Sequence, residues 1–252
     1  YWLPAIFQQG AEEADMSPED LVMLAIHGDE TLGQHLIGIA EATSQSEKGK
    51  KEWAKLEERE RVFIKKYDII GDIHGHGGEL VKLLVHLGYN NSADGYYHKS
   101  RKVIFLGDFI DRGKELVQHK QVLKIVMDMV KNKNALAVMG NHEFNALAYH
   151  TKHNGRYLRP HTKKNSDQHR AFLNEFPGES EEKSAILDFF YTLPLWLEID
   201  GLRVIHACWD DKNISVIRAL LPSIRLDKES LIEASTKGTK TYQAIEVLLK
   251  GF

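Results

Sequence analysis

The stretch YDIIGDIHGH, residues 67–76, decides how this chain is read. A short apolar run, Tyr67 to Ile70, stops at a glycine turn that carries Asp72 and His74 at D-x-H spacing. The same grammar returns downstream. RKVIFLGDFIDRG (101–113) ends an apolar run in Gly107-Asp108, with Asp111 and Arg112 just beyond. ALAVMGNHE (135–143) ends another in Gly140-Asn141-His142-Glu143, and LRVIHA (202–207) ends a fourth near His206. Each run has strand length, is rich in Val, Ile and Leu, and halts at a glycine or a histidine. A sheet built from such runs gathers their ends along one edge, where α/β proteins place their sites. The side chains delivered there are aspartates, an asparagine and histidines with one arginine, a mixture suited to a two-metal site acting on phosphate.

GDIHG, GDFIDRG and GNHE, in this order, resemble the three signature blocks of the calcineurin-like metallophosphoesterases. Within that superfamily they are similar to the bacterial serine/threonine phosphatase and diadenosine-tetraphosphatase branch, over roughly residues 67–210. One such block is weak, because Gly-Asp after a strand is common; three in order, followed by His206, are specific. The resemblance implies an α/β fold with a two-sheet sandwich flanked by helices. It also implies hydrolysis of a phosphate monoester or phosphoanhydride by a hydroxide that two divalent metal ions activate.

The resemblance carries roles residue by residue. Asp72, His74 and Asp108 would form one metal site; Asp108, Asn141 and His206 would contribute to a second, with Asp108 bridging. The chemistry agrees, because two cations about 3.5–4 Å apart need a shared anion, and mixed nitrogen and oxygen donors suit Mn, Fe or Zn better than Mg or Ca. Manganese is the expected ion. His142 resembles the general acid, with Asp111 holding its tautomer and raising its pKa. Arg112 would donate to the phosphoryl oxygens, and Glu143 completes its block behind the first rank of ligands. The other histidines, His76, His86, His98 and His119, read as ordinary core or surface residues. Cys208 and Trp209 read as a small buried residue and an aromatic wall.

Length and composition set wider bounds. The 252 residues, 42% apolar and 27% charged, describe a globular protein with room for one sizeable core or a domain with an appendage. A net charge of −3 gives no global attraction to nucleic acid or anionic membrane. One cysteine excludes an internal disulfide, and neither a signal peptide nor an apolar span is visible, so a cytoplasmic location is expected. Residues 1–66 stand apart, with 13 acidic and 8 basic residues. Ser17-Pro18-Glu19-Asp20 is a helix start, and the segment reads as a helical appendage of unknown role before a metallophosphoesterase domain over 67–252.

Within that domain the pattern predicts helices over Glu79–Leu87 and Lys114–Val130, a turn over Asn90–Lys99, and a hairpin at Asp200-Gly201. Residues 149–170 hold six Lys or Arg and four His against one acid, Asp167. They read as a basic flap over an anionic substrate, with Lys163 and Lys164 at its heart, or as a merely solvated connection. Phosphoprotein, nucleotide and small phosphorylated substrates all remain open, the flap favouring a highly charged nucleotide. Two alternatives stay beside the enzyme: a non-catalytic binding or regulatory module that keeps the fold, and the phosphatase part of a nucleic-acid end-processing protein. No histidine follows His206, although the family pattern supplies a second one to the second metal. The expectation is a domain cut at both ends and lacking its last strands and final ligand, or else a natural variant in which water or the flap, through His150 or His153, completes the second site.

Overall fold

The structure, a computed structural model, describes residues 67–112 and 118–251. The appendage expected over 1–66 and the first residues of the helix expected from Lys114 lie outside these.

The first three motif-bearing runs form one parallel sheet. Strand β1 (Tyr67–Ile70) pairs with β4 (Lys102–Phe105), and β4 with β5 (Ala135–Ala137), in the order β1-β4-β5. The register Ile70↔Phe105↔Ala137 sets the three strand ends level, so the loops that follow emerge side by side. Side chains on β4 alternate between faces. Val103 and Phe105 point into the main core, whereas Ile104 joins a second cluster with Val138 and Val204, and all three β4 residues are fully buried. A strand apolar on both faces is what a sheet covered on both sides requires.

On the main-core face lie α1 (Gly77–His86), through Leu80 and Leu84, and α2 (His119–Lys131), through Val122, Leu123, Val126 and Met129. The expected turn over 90–99 is a small antiparallel hairpin instead, β2 (Asn90–Ser92) with β3 (Gly95–Tyr97). Helix α3 (Asn141–His150) begins directly at the GNHE block and buries most of its length.

The basic stretch folds as a two-residue-strand hairpin, β6 (Lys152–His153) with β7 (Arg156–Tyr157), followed by the short helices α4 (Lys163–Gln168) and α5 (Arg170–Glu175). A bend over residues 177–180 then leads into α6 (Glu181–Thr192), capped by Ser180.

The fourth run does not join the parallel sheet. Strands β8 (Trp196–Ile199) and β9 (Leu202–Ile205) pair antiparallel across Asp200-Gly201, whose φ values of 50° and 83° are those a tight primed turn demands. Leu197, Ile199 and Leu202 pack on the second cluster, so this hairpin covers the other face of the parallel sheet. The second sheet of the expected sandwich is represented, among the described residues, by these two strands. Helices α7 (Asp211–Leu220), α8 (Lys228–Ser235) and α9 (Lys240–Lys250) complete the domain, each capped by a side-chain oxygen from Asp210, Asp227 or Thr239.

Candidate active site

Three loops at the level ends of β1, β4 and β5 are laced together by backbone hydrogen bonds. Ile73 and His74 both donate to the Asp108 carbonyl (3.0 and 2.9 Å), and Gly75 donates to that of Phe109 (2.9 Å). The third loop closes against the second so tightly that a Cβ on Gly107, φ 92°, would stand 2.3 Å from the Gly140 nitrogen. Glycine at 107 is therefore required both by its left-handed φ and by the approach of the neighbouring backbone.

Glu143 explains how that approach is stabilised. It is fully buried, and its carboxylate accepts from the backbone N–H of Asp108 (2.7 Å), Phe109 (2.9 Å) and Gly140 (3.0 Å). Burial and then the Asp108 charge push this carboxyl up, to about 7, against the pull of the Phe109 and Asp108 donors. Glu143 thus ties the second loop to the third.

The lacing imposes unusual backbone. Among the described residues, His74 (φ 45°), Asp108 (53°), Asp111 (69°) and Arg112 (61°) all adopt left-handed conformations without being glycine. Such residues cost energy and persist where the surroundings over-determine them. All four are site candidates.

The donors converge on Asp108, which is 1% exposed. Its Oδ1 accepts from the His142 N–H (3.0 Å). Its Oδ2 faces His206 Nε2 at 3.6 Å, His74 Nε2 at 3.7 Å and Asn141 Nδ2 at 3.4 Å. Asp72, half exposed, reaches 3.5 Å from His74 Nε2. The donors fall into two overlapping groups that share Asp108, one with His74 and His142 and one with Asp72 and His206. Asp72 and His74, which the sequence assignment placed on one metal, face each other at 3.5 Å, and His142, expected as the acid, brings its Nε2 to 4.0 Å from Asp108 Oδ2. Neither His150 nor His153 joins either group: His150 turns to His169 (3.2 Å), and His153 is exposed beside Asn154.

The donor set fits a metal centre. His74 Nδ1 lies 2.9 Å from the Ile110 carbonyl and His206 Nδ1 2.8 Å from that of Leu106. Each carbonyl fixes the proton on Nδ1 and leaves Nε2 a lone pair aimed at Asp108, the arrangement that prepares a histidine to bind metal. His74 Nε2 is buried with no hydrogen-bond partner. Ligand atoms about 2.0–2.2 Å from one ion stand roughly 3–3.5 Å apart, close to the nitrogen–oxygen separations found here.

Asp111 is buried between two histidines. His142 Nδ1 meets its Oδ2 at 3.0 Å, and His169 Nδ1 meets Oδ1 at 3.1 Å. Burial alone would raise Asp111, but the hydrogen bonds and charges of His142 and His169 hold it below the usual carboxylate range. For His142, burial pulls the pKa down; the Asp111 hydrogen bond and the charges of Asp108, Asp111 and Glu143 outweigh it and raise the ring. The Asp111 contact places the ring proton on Nδ1 and directs Nε2 to the side of Asp108, 4.0 Å from its Oδ2.

Two histidines outside the signature blocks belong to this assembly. His169 is the second partner of Asp111. His119, read from sequence as ordinary, is fully buried; its Nε2 accepts from the Asp111 N–H (2.9 Å) and its Nδ1 donates to Glu175 (2.9 Å). No local spacing signals either, because both act across the fold.

A cavity of about 720 Å³ opens beside the site, and Asp111, Arg112, Asn141 and His142 contribute to its lining. Its outer wall comes from the basic stretch, but through Arg159 and Arg170 rather than Lys163 and Lys164, which do not line it. Cys208 and Trp209 do not line it either; Trp209 packs on the main core, with Arg203 5.2 Å above its ring.

Residues 65–229 match the model of the calcineurin-like phosphoesterases. The chain belongs to that family. Among curated relatives, the bis(5′-nucleosyl)-tetraphosphatase PrpE of Oceanobacillus iheyensis is 32% identical over 56% of this chain and 55% of its own length. That of Geobacillus sp. strain WCH70 is 44% identical over 31% of each chain. The chain therefore spans about half the length of the first relative and under a third of the second. A solved structure, the cold-active protein-tyrosine phosphatase of a psychrophile Shewanella sp., shares 18% identity over 70% of this chain and 56% of that one, with a TM-score of 0.44. Among the described residues of this family member, no helix is long and apolar enough to cross a membrane.

Proposed function

We propose that this calcineurin-like phosphoesterase hydrolyses a phosphate ester or phosphoanhydride with the help of two divalent metal ions. Asp72, His74, Asp108, Asn141 and His206 are the residues that would hold them, Asp108 serving both. Mn is the ion the mixed nitrogen and oxygen donors suit, with Fe or Zn able to replace it. Bound ions of this kind supply Lewis acidity toward phosphoryl oxygens and lower the pKa of water.

The chain's own groups do the rest. His142 carries the proton for the departing oxygen on Nε2, while Asp111 fixes the ring and stabilises its charged form. Arg112, exposed in the cavity lining, donates to the phosphoryl oxygens as they gain charge. The observation that carries this reading is the convergence of two tautomer-fixed histidines on one buried carboxylate. A module that only bound a partner would have no need of this preset, strained arrangement, nor of a buried Asp111–His142 pair.

The relatives' name, bis(5′-nucleosyl)-tetraphosphatase, together with the arginine-bearing cavity, favours a polyphosphorylated nucleotide as substrate. The deciding experiment is turnover of aryl phosphate by the chain with Mn²⁺ and after chelation, beside Asp108→Asn. Activity should require metal, and Asp108→Asn should lose both metal and turnover. Wild-type metal content and rate in that variant would defeat the assignment.

A further inference from the structure

Arg159 has a setting that the chemistry at Asp108 does not use. It is half-buried in the cavity wall, and its two terminal nitrogens donate to Asn145 Oδ1 and Gln168 Oε1, both at 2.7 Å. Both partners are neutral. Among the described residues no carboxylate pairs with it, and the acids whose charges it feels are occupied elsewhere, Asp111 by His142 and His169 and Glu246 by Lys250. A guanidinium withdrawn from water and answered only by amides leaves its charge to be met by an anion. The other outer arginine differs, since Arg170 is neutralised by Asp167.

The position of Arg159 is also fixed before any ligand arrives. Its N–H donates to the Ala148 carbonyl (2.9 Å), and Leu158 donates to Thr151 (2.9 Å), which pins the segment to the end of α3. Just beyond, His161 is sandwiched between the rings of Tyr149 and Tyr157 at 3.8 Å from each. A donor held this way needs little ordering on binding. The same cavity contains Arg112 and His142, and its roughly 720 Å³ lies in the range of pockets for whole ligands rather than a lone phosphoryl group.

We propose that Arg159, braced by Asn145 and Gln168, holds the phosphoryl group next to the scissile one, and so makes this site selective for phosphoanhydrides over simple monoesters. The inference rests on the phosphoesterase reading, in which Arg112 meets the scissile group. Lys163 and Lys164 have no part in it.

The test compares the affinity of the full chain, in excess Mn²⁺, for imidodiphosphate, a non-hydrolysable two-phosphoryl anion, and for orthophosphate. Calorimetry gives both dissociation constants for wild type, Arg159→Gln, Arg159→Lys and Arg170→Gln. A charge-assisted contact of this kind is worth roughly ten- to hundredfold in affinity. Wild type should favour imidodiphosphate, and Arg159→Gln should lose that preference by tenfold or more. Arg159→Lys, which keeps the charge and loses the fork, should fall between them, while Arg170→Gln should keep the preference. An unchanged ratio in Arg159→Gln, or equal losses for both anions, overturns the subsite. If Arg159→Gln fails to fold, an unaltered ratio in Arg159→Lys overturns it in the same way. Aryl phosphate turnover by the same wild-type preparation separates the two readings. A charge-dependent preference without turnover strikes the hydrolase reading alone, and turnover without the preference strikes the subsite alone.

Discussion

Removing Glu143 measures how much of the site's architecture one side chain holds. Its carboxylate is the acceptor for three buried N–H groups, two on Oε2 (Asp108 and Gly140) and one on Oε1 (Phe109). A buried donor left without a partner costs about 1–3 kcal/mol. Glu143→Ala therefore strands three and should cost about 3–9 kcal/mol, which rivals the roughly 5–15 kcal/mol that stabilises a typical domain. Glu143→Gln is the informative companion. Its single oxygen can take the Oε2 position and keep Asp108 and Gly140, which leaves Phe109 facing an amide N–H and costs about 1–3 kcal/mol. Denaturant unfolding followed by circular dichroism, on chelated protein, should rank wild type above Glu143→Gln and Glu143→Gln well above Glu143→Ala. Metal content of the Gln variant should fall as well, because the loop that Glu143 grips is the one that carries Asp108. If Glu143→Ala unfolds within about 1 kcal/mol of wild type, the three hydrogen bonds do not hold the loops together and the reasoning fails.

Three further outcomes are expected. Gly107→Ala forces a Cβ to 2.3 Å from the Gly140 nitrogen, so its melting temperature should collapse; a midpoint within 2 °C of wild type, roughly 1 kcal/mol or less, would contradict the packing. His142→Ala should lower turnover roughly 10²–10⁴-fold, more on phenyl than on nitrophenyl phosphate, and His169→Ala should show the same leaving-group bias more weakly, with His169→Asn restoring much of it through its own N–H to Asp111. Equal losses on the two substrates would remove both residues from the proton's path. His150 is pushed down to about 3, first by burial and then by the charges of His169, Lys183 and His161, so the unfolded chain takes up a proton below about 6.5 that the folded chain refuses. Stability should therefore decline as pH falls from about 6.5 toward 3, and His150→Gln should flatten that decline in pH-dependent unfolding; an identical slope would show that His150 is not its source.

What could be read from sequence was local. The runs before Gly71, Gly107 and Gly140 announce strands because their apolar residues and terminating glycines are adjacent in the chain, and Asp200-Gly201 announces its hairpin for the same reason. The site candidates Asp72, His74, Asp108, Asp111, Arg112, Asn141, His142 and His206 follow from those stops, and the fold brings them to one edge. Sheet membership was not local: β9 looks like the other runs, yet it pairs with β8 and serves as the cover of the parallel sheet rather than its fourth strand. Its histidine still arrives, because covering the far face of β4 carries Ile205-His206 to the end where Leu106 offers a carbonyl.

The same distinction explains the histidines and the flap. His119 and His169 lie 8 and 58 residues from Asp111, and no spacing rule links them to it. What selects them is geometry: Asp111 sits in a left-handed turn whose N–H needs an acceptor and whose carboxylate has room for a second donor. The basic stretch was legible as basic but not as a surface with two sides. Lys163 and Lys164 open a six-residue helix without a buried residue, and remain in water. Arg159 precedes that helix, where the chain is still tied to α3, and so its charge faces inward. Counting charges along 149–170 gives lysine and arginine equal weight; the backbone hydrogen bond at Arg159 is what separates this arginine, which lines the cavity, from the lysines that stay in water.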